Sequence, residues 1–318
     1  MASRKLAIIS SPLDPKTAAS TSSTDGSRHN EGAATGMRAL VEAVVARLTD
    51  AGIPDPQVDA ELLLGHVLNE SRGRVQALSI MDVAVDDDAR TALAPLVARR
   101  ATREPLQHIT GTAAFRSLTL NVGPGVFVPR PETESVVQFA IDALRALPAA
   151  EPVAVDLGTG SGAIALAMAV EVPTARVYAV EMSDDAFPWT RRNFDEVAAP
   201  NAELIHGDLE HAVDHLAGTV NVLISNPPYI PAAAIPRDPE VRLFDPEVAL
   251  YGGEDGLDVV RTVSQVGLRL VVQGGVLVLE HGELQGDAIR TLLAQDGWRS
   301  PETHKDLTYR DRTTTAIR

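Results

Sequence analysis

Asp156-Leu157-Gly158-Thr159-Gly160-Ser161-Gly162 is the stretch of this sequence that decides the fold. It follows an apolar run at 153–157 and precedes a helical pattern at 163–170, which predicts a glycine loop between a buried strand and a helix. Glycine lets the backbone turn tightly into a helix N-terminus and approach a ligand closely. The spacing is G-x-G-x-G and not the G-x-G-x-x-G of dinucleotide-binding folds, so the loop predicts a nucleoside-type site of another kind.

The residues after this loop alternate between strand and helix patterns. Apolar strand patterns lie at 177–180, 204–205, 220–224 and 276–279, and helical patterns lie at 183–197 and 257–270. Such alternation predicts a mostly parallel sheet with helices on both faces. The sequence therefore predicts an α/β fold with a Rossmann-like sheet.

The chain before the loop has a different organisation. Residues 1–36 are rich in Ser, Thr, Ala and Gly without periodicity, which predicts a disordered tail. Apolar residues at helical spacing predict a small helical bundle at 37–106, and Asp55-Pro56 is typical of a helix start. Alternating apolar residues at 115–122 predict a hairpin connector at 107–128, so the α/β domain takes up 129–318.

Composition narrows the classes of function. The chain has 318 residues, of which 45% are hydrophobic, enough to bury a full core. It has no cysteine, which excludes disulfides and thiolate metal sites and fits a cytoplasmic location. No apolar run is long enough to span a bilayer, so no membrane partner is expected. The net charge is −15, which weighs against direct nucleic-acid binding, and the histidines form no convincing metal-ligand set.

A carboxylate follows the glycine loop at the place where a ribose is bound in such folds. Glu181 ends the next predicted strand, nineteen positions after Gly162. A carboxylate there can accept hydrogen bonds from both ribose hydroxyls. Glu181 therefore strengthens the prediction of a nucleoside-type ligand.

A second motif, Asn226-Pro227-Pro228-Tyr229, follows the predicted strand at 220–224. It lies at the carboxyl edge of the sheet, where α/β folds bind ligands. The two prolines remove two backbone donors, so the loop presents carbonyl oxygens with few competing N–H groups. Asn226 adds a side-chain acceptor and Tyr229 adds a flat face, which together suit a planar NH2 group.

These motifs resemble those of the HemK/PrmC family of release factor glutamine methyltransferases. The resemblance extends from about residue 37 to the C-terminus, and its most specific segments lie at 103–111, 127–134, 156–165, 226–230 and 250–257. It implies a class I methyltransferase domain at 129–318 with a seven-stranded sheet and S-adenosyl-L-methionine as the cofactor. It also implies that the protein substrate is a class-1 peptide-chain release factor, modified at the glutamine of its Gly-Gly-Gln loop. A lone glutamine side chain offers too little surface for a selective enzyme, so we expect the helical bundle at 37–106, with the connector at 107–128, to dock the substrate. The alternative is that the bundle only stabilises the fold.

The resemblance implies a role for each motif residue. The glycine loop wraps the methionine part of the cofactor, Glu181 holds the ribose where the family more often has Asp, and Asp208 lies near the adenine. The next position is often aromatic in the family and is a leucine here. The implied cofactor-binding residues are Gly158, Thr159, Gly160, Ser161, Gly162, Glu181, Asp208, Leu209 and Asn226. The implied catalytic residues, which hold the substrate glutamine, are Asn226, Pro227, Pro228 and Tyr229.

Two other functions remain open at this stage. The Asn-Pro-Pro-Tyr motif is shared with adenine-N6 DNA methyltransferases, because a flipped adenine presents the same NH2 edge. An amino-methyltransferase acting on nucleic acid is therefore the alternative. A non-catalytic sensor of the cofactor is a third possibility, and the intact substrate loop weighs against it.

Overall fold

The N-terminal part of the protein is a helical bundle. The structure is a computed structural model and describes residues 36–318. The helices of the bundle are α1 (Met37–Asp50), α2 (Pro56–Leu68), α3 (Arg72–Ile80), α4 (Asp87–Ala101) and α5 (Leu106–Thr110). They bury an apolar core of their own, and Leu48, Leu63 and Leu64 are fully enclosed in it. The predicted tail at 1–36 lies outside the described residues except for Gly36, which forms a β-bridge with Ala84.

The helix starts in this bundle follow from local chemistry. Asp86 Oδ1 accepts a hydrogen bond from the Ala89 N–H (2.6 Å) and caps α4. Pro56 is the first residue of α2 as predicted, although the Asp55 side chain makes no capping bond. Here the fixed φ of proline, which suits the first helical turn, favours the helix start without help from the carboxylate.

A short hairpin joins the bundle to the α/β domain. Its strands are β1 (Thr112–Phe115) and β2 (Leu118–Asn121), which pair antiparallel. Phe115 and Leu120 are fully buried in the α/β core and not in that of the bundle. The hairpin is therefore packed as part of the larger domain.

The α/β domain is built on one seven-stranded sheet. The strands are β3 (Val153–Leu157), β4 (Arg176–Glu181), β5 (Ala202–His206), β6 (Val220–Ser225), β7 (Val271–Glu280), β8 (Arg299–Lys305) and β9 (Asp311–Ile317). Their order is β5-β4-β3-β6-β7-β9-β8, in which the first five are parallel and β9 is antiparallel to both of its neighbours, β7 and β8. This arrangement confirms the predicted fold class, a mostly parallel seven-stranded sheet preceded by a helical bundle.

Helices cover both faces of this sheet. They are α6 (Pro131–Ala146), α7 (Ala163–Glu171), α8 (Phe187–Val197), α10 (Asp258–Leu270) and α11 (Gly286–Asp296), whereas the short helix α9 (Pro239–Phe244) lies in the segment between β6 and α10 and buries none of its residues. One apolar core lies between the sheet and α6 and α7, and a second lies between the sheet and α10 and α11. Two closed faces leave the carboxyl edge of the parallel strands as the place for a ligand.

The structure corrects several predicted boundaries. The helix predicted from residue 183 begins at Phe187, because Ser183 starts a turn in which its Oγ accepts from the Ala186 N–H (3.2 Å). The strand predicted at 276–279 extends over all of β7. The strand β9 was missed because it is rich in threonine, although Thr313 and Thr314 are buried.

Among residues 36–318, no helix has both the length and the apolar character that a membrane crossing requires.

Candidate functional site

The glycine loop exposes its backbone to a cavity. Gly158 and Gly160 have φ values of 72° and 58°, a region that side-chain-bearing residues rarely adopt. A Cβ built on either one meets no atom within 4 Å, so open space lies against the backbone. Gly162 differs, because a Cβ there would lie 3.0 Å from the Phe194 ring. The first two glycines therefore leave room for a ligand, and the third allows close packing of α7 against α8.

Asp156 holds the glycine loop in place through two hydrogen bonds of its side chain. Its Oδ2 accepts from Thr159 Oγ1 (2.6 Å) and from the Ala165 N–H (3.2 Å), which ties the loop to the first turn of α7. The carboxyl group is fully buried, and burial raises its pKa to about 7 against the effect of these hydrogen bonds. Its Oδ1 has no hydrogen-bond partner among the described residues.

Glu181, the last residue of β4, contacts the glycine loop through its carboxylate. Its Oε2 accepts from the Gly160 N–H and its Oε1 from the Ser183 N–H, both at 2.8 Å. The residue is 7% exposed, and burial raises the pKa of its carboxyl although these backbone donors oppose the shift. The carboxylate is thus held in a fixed position in the wall of the cavity.

One cavity of about 880 Å³ brings most of the predicted site residues together. Those that line it are Gly158, Thr159, Gly160, Ser161, Glu181, Leu209, Asn226, Pro227, Pro228 and Tyr229. Gly162 and Asp208 do not line it. Asp208 is exposed and accepts from the Glu210 N–H (2.9 Å), while its neighbours Gly207 and Leu209 reach the cavity.

The Asn-Pro-Pro-Tyr loop is supported by the segment at 250–257. The Ile230 N–H donates to Leu250 O (2.8 Å), and the Gly252 N–H donates to Ile230 O (2.9 Å). A Cβ on Gly256 would lie 2.3 Å from Tyr229 O, so only glycine allows the two segments to approach this closely. This contact gives a structural reason for the glycines of the segment.

The backbone carbonyls of the loop differ in their partners. Gln285 Nε2 donates to Tyr229 O (2.9 Å), a contact that sequence reasoning missed. Pro227 O is left without a donor among residues 36–318. The Tyr229 hydroxyl stays neutral, because burial and the nearby Glu280 raise its pKa to about 12. The loop therefore offers one free carbonyl and a neutral aromatic ring.

A buried polar cluster lies behind the loop. Glu280 ends β7 and is 1% exposed, and burial raises its pKa to about 7. The side chains of Thr133, Arg312 and Asn226 oppose that shift, and Glu132 adds to it. Sequence reasoning missed Glu280, although a signal was present, since it follows an apolar strand pattern at the same sheet edge as Asn226.

The outer wall of the cavity is formed by the segment at 231–249, which includes α9. Two arginines from earlier in the chain, Arg100 and Arg130, form ion pairs with this segment. Arg100 Nη2 lies 2.7 Å from Glu240 Oε1, and Arg130 Nη2 lies 2.6 Å from Asp245 Oδ2. Arg100 belongs to α4, so the helical bundle is connected directly to the wall of the cavity.

Comparisons with known proteins agree with these observations. A family model of the PrmC N-terminal domain matches residues 39–111, and one of the methyltransferase small domain matches residues 118–244. A release factor glutamine methyltransferase of Streptomyces coelicolor is 49% identical over 88% of this chain and 97% of its own length. One from Bifidobacterium longum is 42% identical over 86% of this chain and 96% of its own length.

A solved structure is also similar. It is a protein-(glutamine-N5) methyltransferase (release factor-specific) from Alicyclobacillus acidocaldarius, 27% identical to this chain. The match covers 62% of this chain and 98% of that one with a TM-score of 0.39. The sequence relatives, which are matched over nearly their whole length, carry the family relationship.

Proposed function

The chain belongs to the HemK/PrmC family of release factor glutamine methyltransferases, and we propose that it methylates the side-chain amide nitrogen of a release factor glutamine. The observation that carries the proposal is the juxtaposition of two motifs in one cavity. The glycine loop, with Glu181, and the Asn-Pro-Pro-Tyr loop both line this cavity, and the two loops follow the neighbouring parallel strands β3 and β6. A methyl donor and a planar amide can therefore be bound next to each other.

The glycine-loop side of the cavity fits S-adenosyl-L-methionine. When bound, this cofactor supplies an electrophilic methyl group on a sulfonium. Gly158 and Gly160 leave their backbone open to the methionine part, and Glu181 presents a carboxylate to the ribose hydroxyls. Leu209 gives an apolar surface for the adenine. Asp208, whose side chain is exposed, lies next to Leu209 at the proposed adenine end of the cavity.

The Asn-Pro-Pro-Tyr side fits the substrate glutamine. An amide nitrogen is a weak nucleophile because its lone pair is delocalised into the carbonyl, so alignment is the main contribution available to the enzyme. Asn226 Oδ1 and the free Pro227 carbonyl would accept the two N–H bonds of the amide. The same oxygens favour the positive charge that develops on nitrogen as the methyl group is transferred. Tyr229 and Pro228 would hold the amide plane from the side.

The proposed substrate is a class-1 release factor, modified at the glutamine of its Gly-Gly-Gln loop in the cytoplasm. A single glutamine side chain offers little surface, so a selective enzyme must bind the protein beyond it. The helical bundle at 37–106 is the proposed docking domain. Its contact with the cavity wall through Arg100 and Glu240 supports that role.

Mass spectrometry of a release factor after incubation with the protein and S-adenosyl-L-methionine tests the proposal. We expect one added methyl group on the glutamine of the Gly-Gly-Gln loop. A parallel incubation with duplex DNA and labelled cofactor tests the alternative, methylation of adenine. Label in DNA and none in the release factor would overturn the proposal, and label in neither would favour a cofactor sensor.

A further inference from the structure

We infer that Glu280 is a positioning residue, which orients the Asn226 side-chain amide so that Nδ2 faces Glu280 and Oδ1 faces the substrate. The inference deepens the proposed function and rests on it. Asn226 can help align a substrate amide only if its oxygen, and not its NH2 group, is turned toward the incoming N–H. Something behind Asn226 must therefore distinguish its two ends.

The sheet register places Glu280 beside Asn226. Strands β6 and β7 are parallel, and Ser225 is paired with Leu279, so the next residue of each strand lies at the same level of the sheet edge. Glu280 is 1% exposed and does not line the cavity, whereas Asn226 does. The carboxyl group thus lies behind the asparagine and not in the substrate space.

Glu280 has a hydrogen-bonding capacity that the rest of the protein does not use. Its Oε2 is buried and has no partner among residues 36–318. Leaving a buried carboxylate oxygen unpaired is costly, so an adjacent donor is expected to serve it. The register of β6 and β7 places Asn226 next to this carboxyl, and Thr133 Oγ1 is likewise buried without a partner among residues 36–318. The side chains of both residues lower the pKa of Glu280, as neighbouring donors would.

The chemistry of the two groups sets the orientation. An ionised carboxylate only accepts hydrogen bonds, whereas the two ends of an asparagine amide have nearly the same shape and differ in that one donates and the other accepts. Beside a carboxylate the amide must turn its NH2 group inward. A neutral carboxylic acid or an amide at position 280 can donate as well as accept, so it would no longer enforce one orientation.

The charges around Glu280 make this orientation depend on pH. Burial, together with Glu132 on α6, raises the pKa of Glu280 to about 7, although Thr133, Arg312 on β9 and Asn226 oppose the shift. Glu280 therefore loses its proton in the neutral range. The fraction of enzyme with Asn226 correctly turned should rise between pH 6 and pH 8.

The test compares the full-length protein with Glu280→Gln, a nearly isosteric change, using intact release factor as substrate. We expect the affinity for S-adenosyl-L-methionine, measured by calorimetry, to stay within about threefold. We expect kcat at pH 8 to fall at least tenfold, and the rise of kcat/KM between pH 6 and pH 8 to disappear. Glu302→Gln, an exposed carboxylate on β8 outside the cavity, is the matched control and should behave as wild type.

A double variant asks whether Glu280 acts through Asn226. If it does, Asn226→Ala with Glu280→Gln should be no slower than Asn226→Ala alone, because the group to be oriented is already absent. If the double variant were slower than Asn226→Ala by the same factor that Glu280→Gln alone loses, the inference would be overturned. So would a wild-type kcat/KM that is flat from pH 6 to pH 8, a measurement that needs no variant. In each case the wild-type enzyme methylates release factor, which separates this failure from that of the proposed function.

Discussion

Glu181 shows how one carboxylate can be prepared for a ligand before the ligand arrives. Both of its oxygens accept backbone N–H bonds, so the side chain has little freedom left to lose on binding. We expect Glu181→Gln to weaken S-adenosyl-L-methionine binding about tenfold or more, since a hydrogen bond to a charged group contributes roughly 1.5–3 kcal/mol. Isothermal titration measures this. Glu203→Gln, an exposed carboxylate on the adjacent strand β5, is the control, and equal affinities for the two variants would contradict a ribose-binding role.

Asn226 is expected to act on the chemical step and not on cofactor binding. Asn226 lines the cavity and makes none of the hydrogen bonds that hold the glycine loop in place. Asn226→Ala should therefore leave cofactor affinity within about threefold and reduce single-turnover methyl transfer at least a hundredfold, as for loss of a transition-state hydrogen bond. A variant with full single-turnover activity would exclude the alignment mechanism.

The residues that sequence reasoning found and those that it missed differ in a simple way. Glu181 and Asn226 were found because Glu181 ends its own strand and Asn226 directly follows its own, so their position at the sheet edge is a local property. Glu280, Arg312 and Gln285 act through contacts between segments far apart in the chain. Such contacts depend on which strands are neighbours and in what register, and hydrophobic periodicity does not encode either.

At the scale of elements, the parallel strands and the helices between them were predictable because their apolar periods are strong. The segment at 231–249 was not, since it has one short helix and several prolines, and its place over the cavity is set by ion pairs. The strands β8 and β9 were hidden by polar residues whose hydroxyls find partners within the sheet, as Thr303 Oγ1 on β8 and Thr314 Oγ1 on β9 do at 2.9 Å.

The contact between α4 and α9 predicts a function for the helical bundle that can be measured. Arg100 is bound by Asp59 (2.6 Å) and by Glu240 (2.7 Å), so removing Glu240 breaks the ion pair between α4 and α9 but leaves the arginine one carboxylate. We expect Glu240→Ala to lower kcat/KM for release factor about tenfold, mainly through KM, because the wall that faces the substrate loses its support. Cofactor affinity should not change.

Glu247→Ala is the matched control for this prediction. Glu247 is exposed and belongs to the same segment, but it does not line the cavity and forms no ion pair among residues 36–318. Steady-state kinetics on intact release factor should therefore give wild-type values. Equal kcat/KM for Glu240→Ala and Glu247→Ala would show that the ion pair with the bundle does not support the substrate wall.

For the molecule as a whole, the buried carboxyl groups of the site lower the free energy of unfolding at neutral pH. Asp156 and Glu280 are fully buried carboxyls, and burial raises the pKa of each to about 7. A folded state that keeps a proton which the unfolded chain has released becomes less stable as pH rises. This loss of stability begins near pH 4, about the pKa of the carboxyl in the unfolded chain. It ends above pH 7, the pKa in the folded protein being about 7. The contribution of these two carboxyls to the free energy of unfolding should therefore decrease between pH 4 and pH 7.

Replacing Asp156 with asparagine should remove its share of this decrease. An asparagine oxygen can still accept from Thr159 Oγ1 and the Ala165 N–H, so the loop keeps both hydrogen bonds, but the group no longer ionises. Between pH 5 and pH 8 the wild type should lose on the order of 3 kcal/mol more than Asp156→Asn, from about two pKa units at 1.36 kcal/mol each. Urea unfolding of the ligand-free protein at the two pH values measures the difference. Asp50→Asn, an exposed carboxylate on α1, should leave the pH dependence unchanged. If Asp156→Asn lost as much stability as the wild type, Asp156 would have to be ionised in the folded protein already at pH 5, and the glycine loop would then rest on a charged carboxylate.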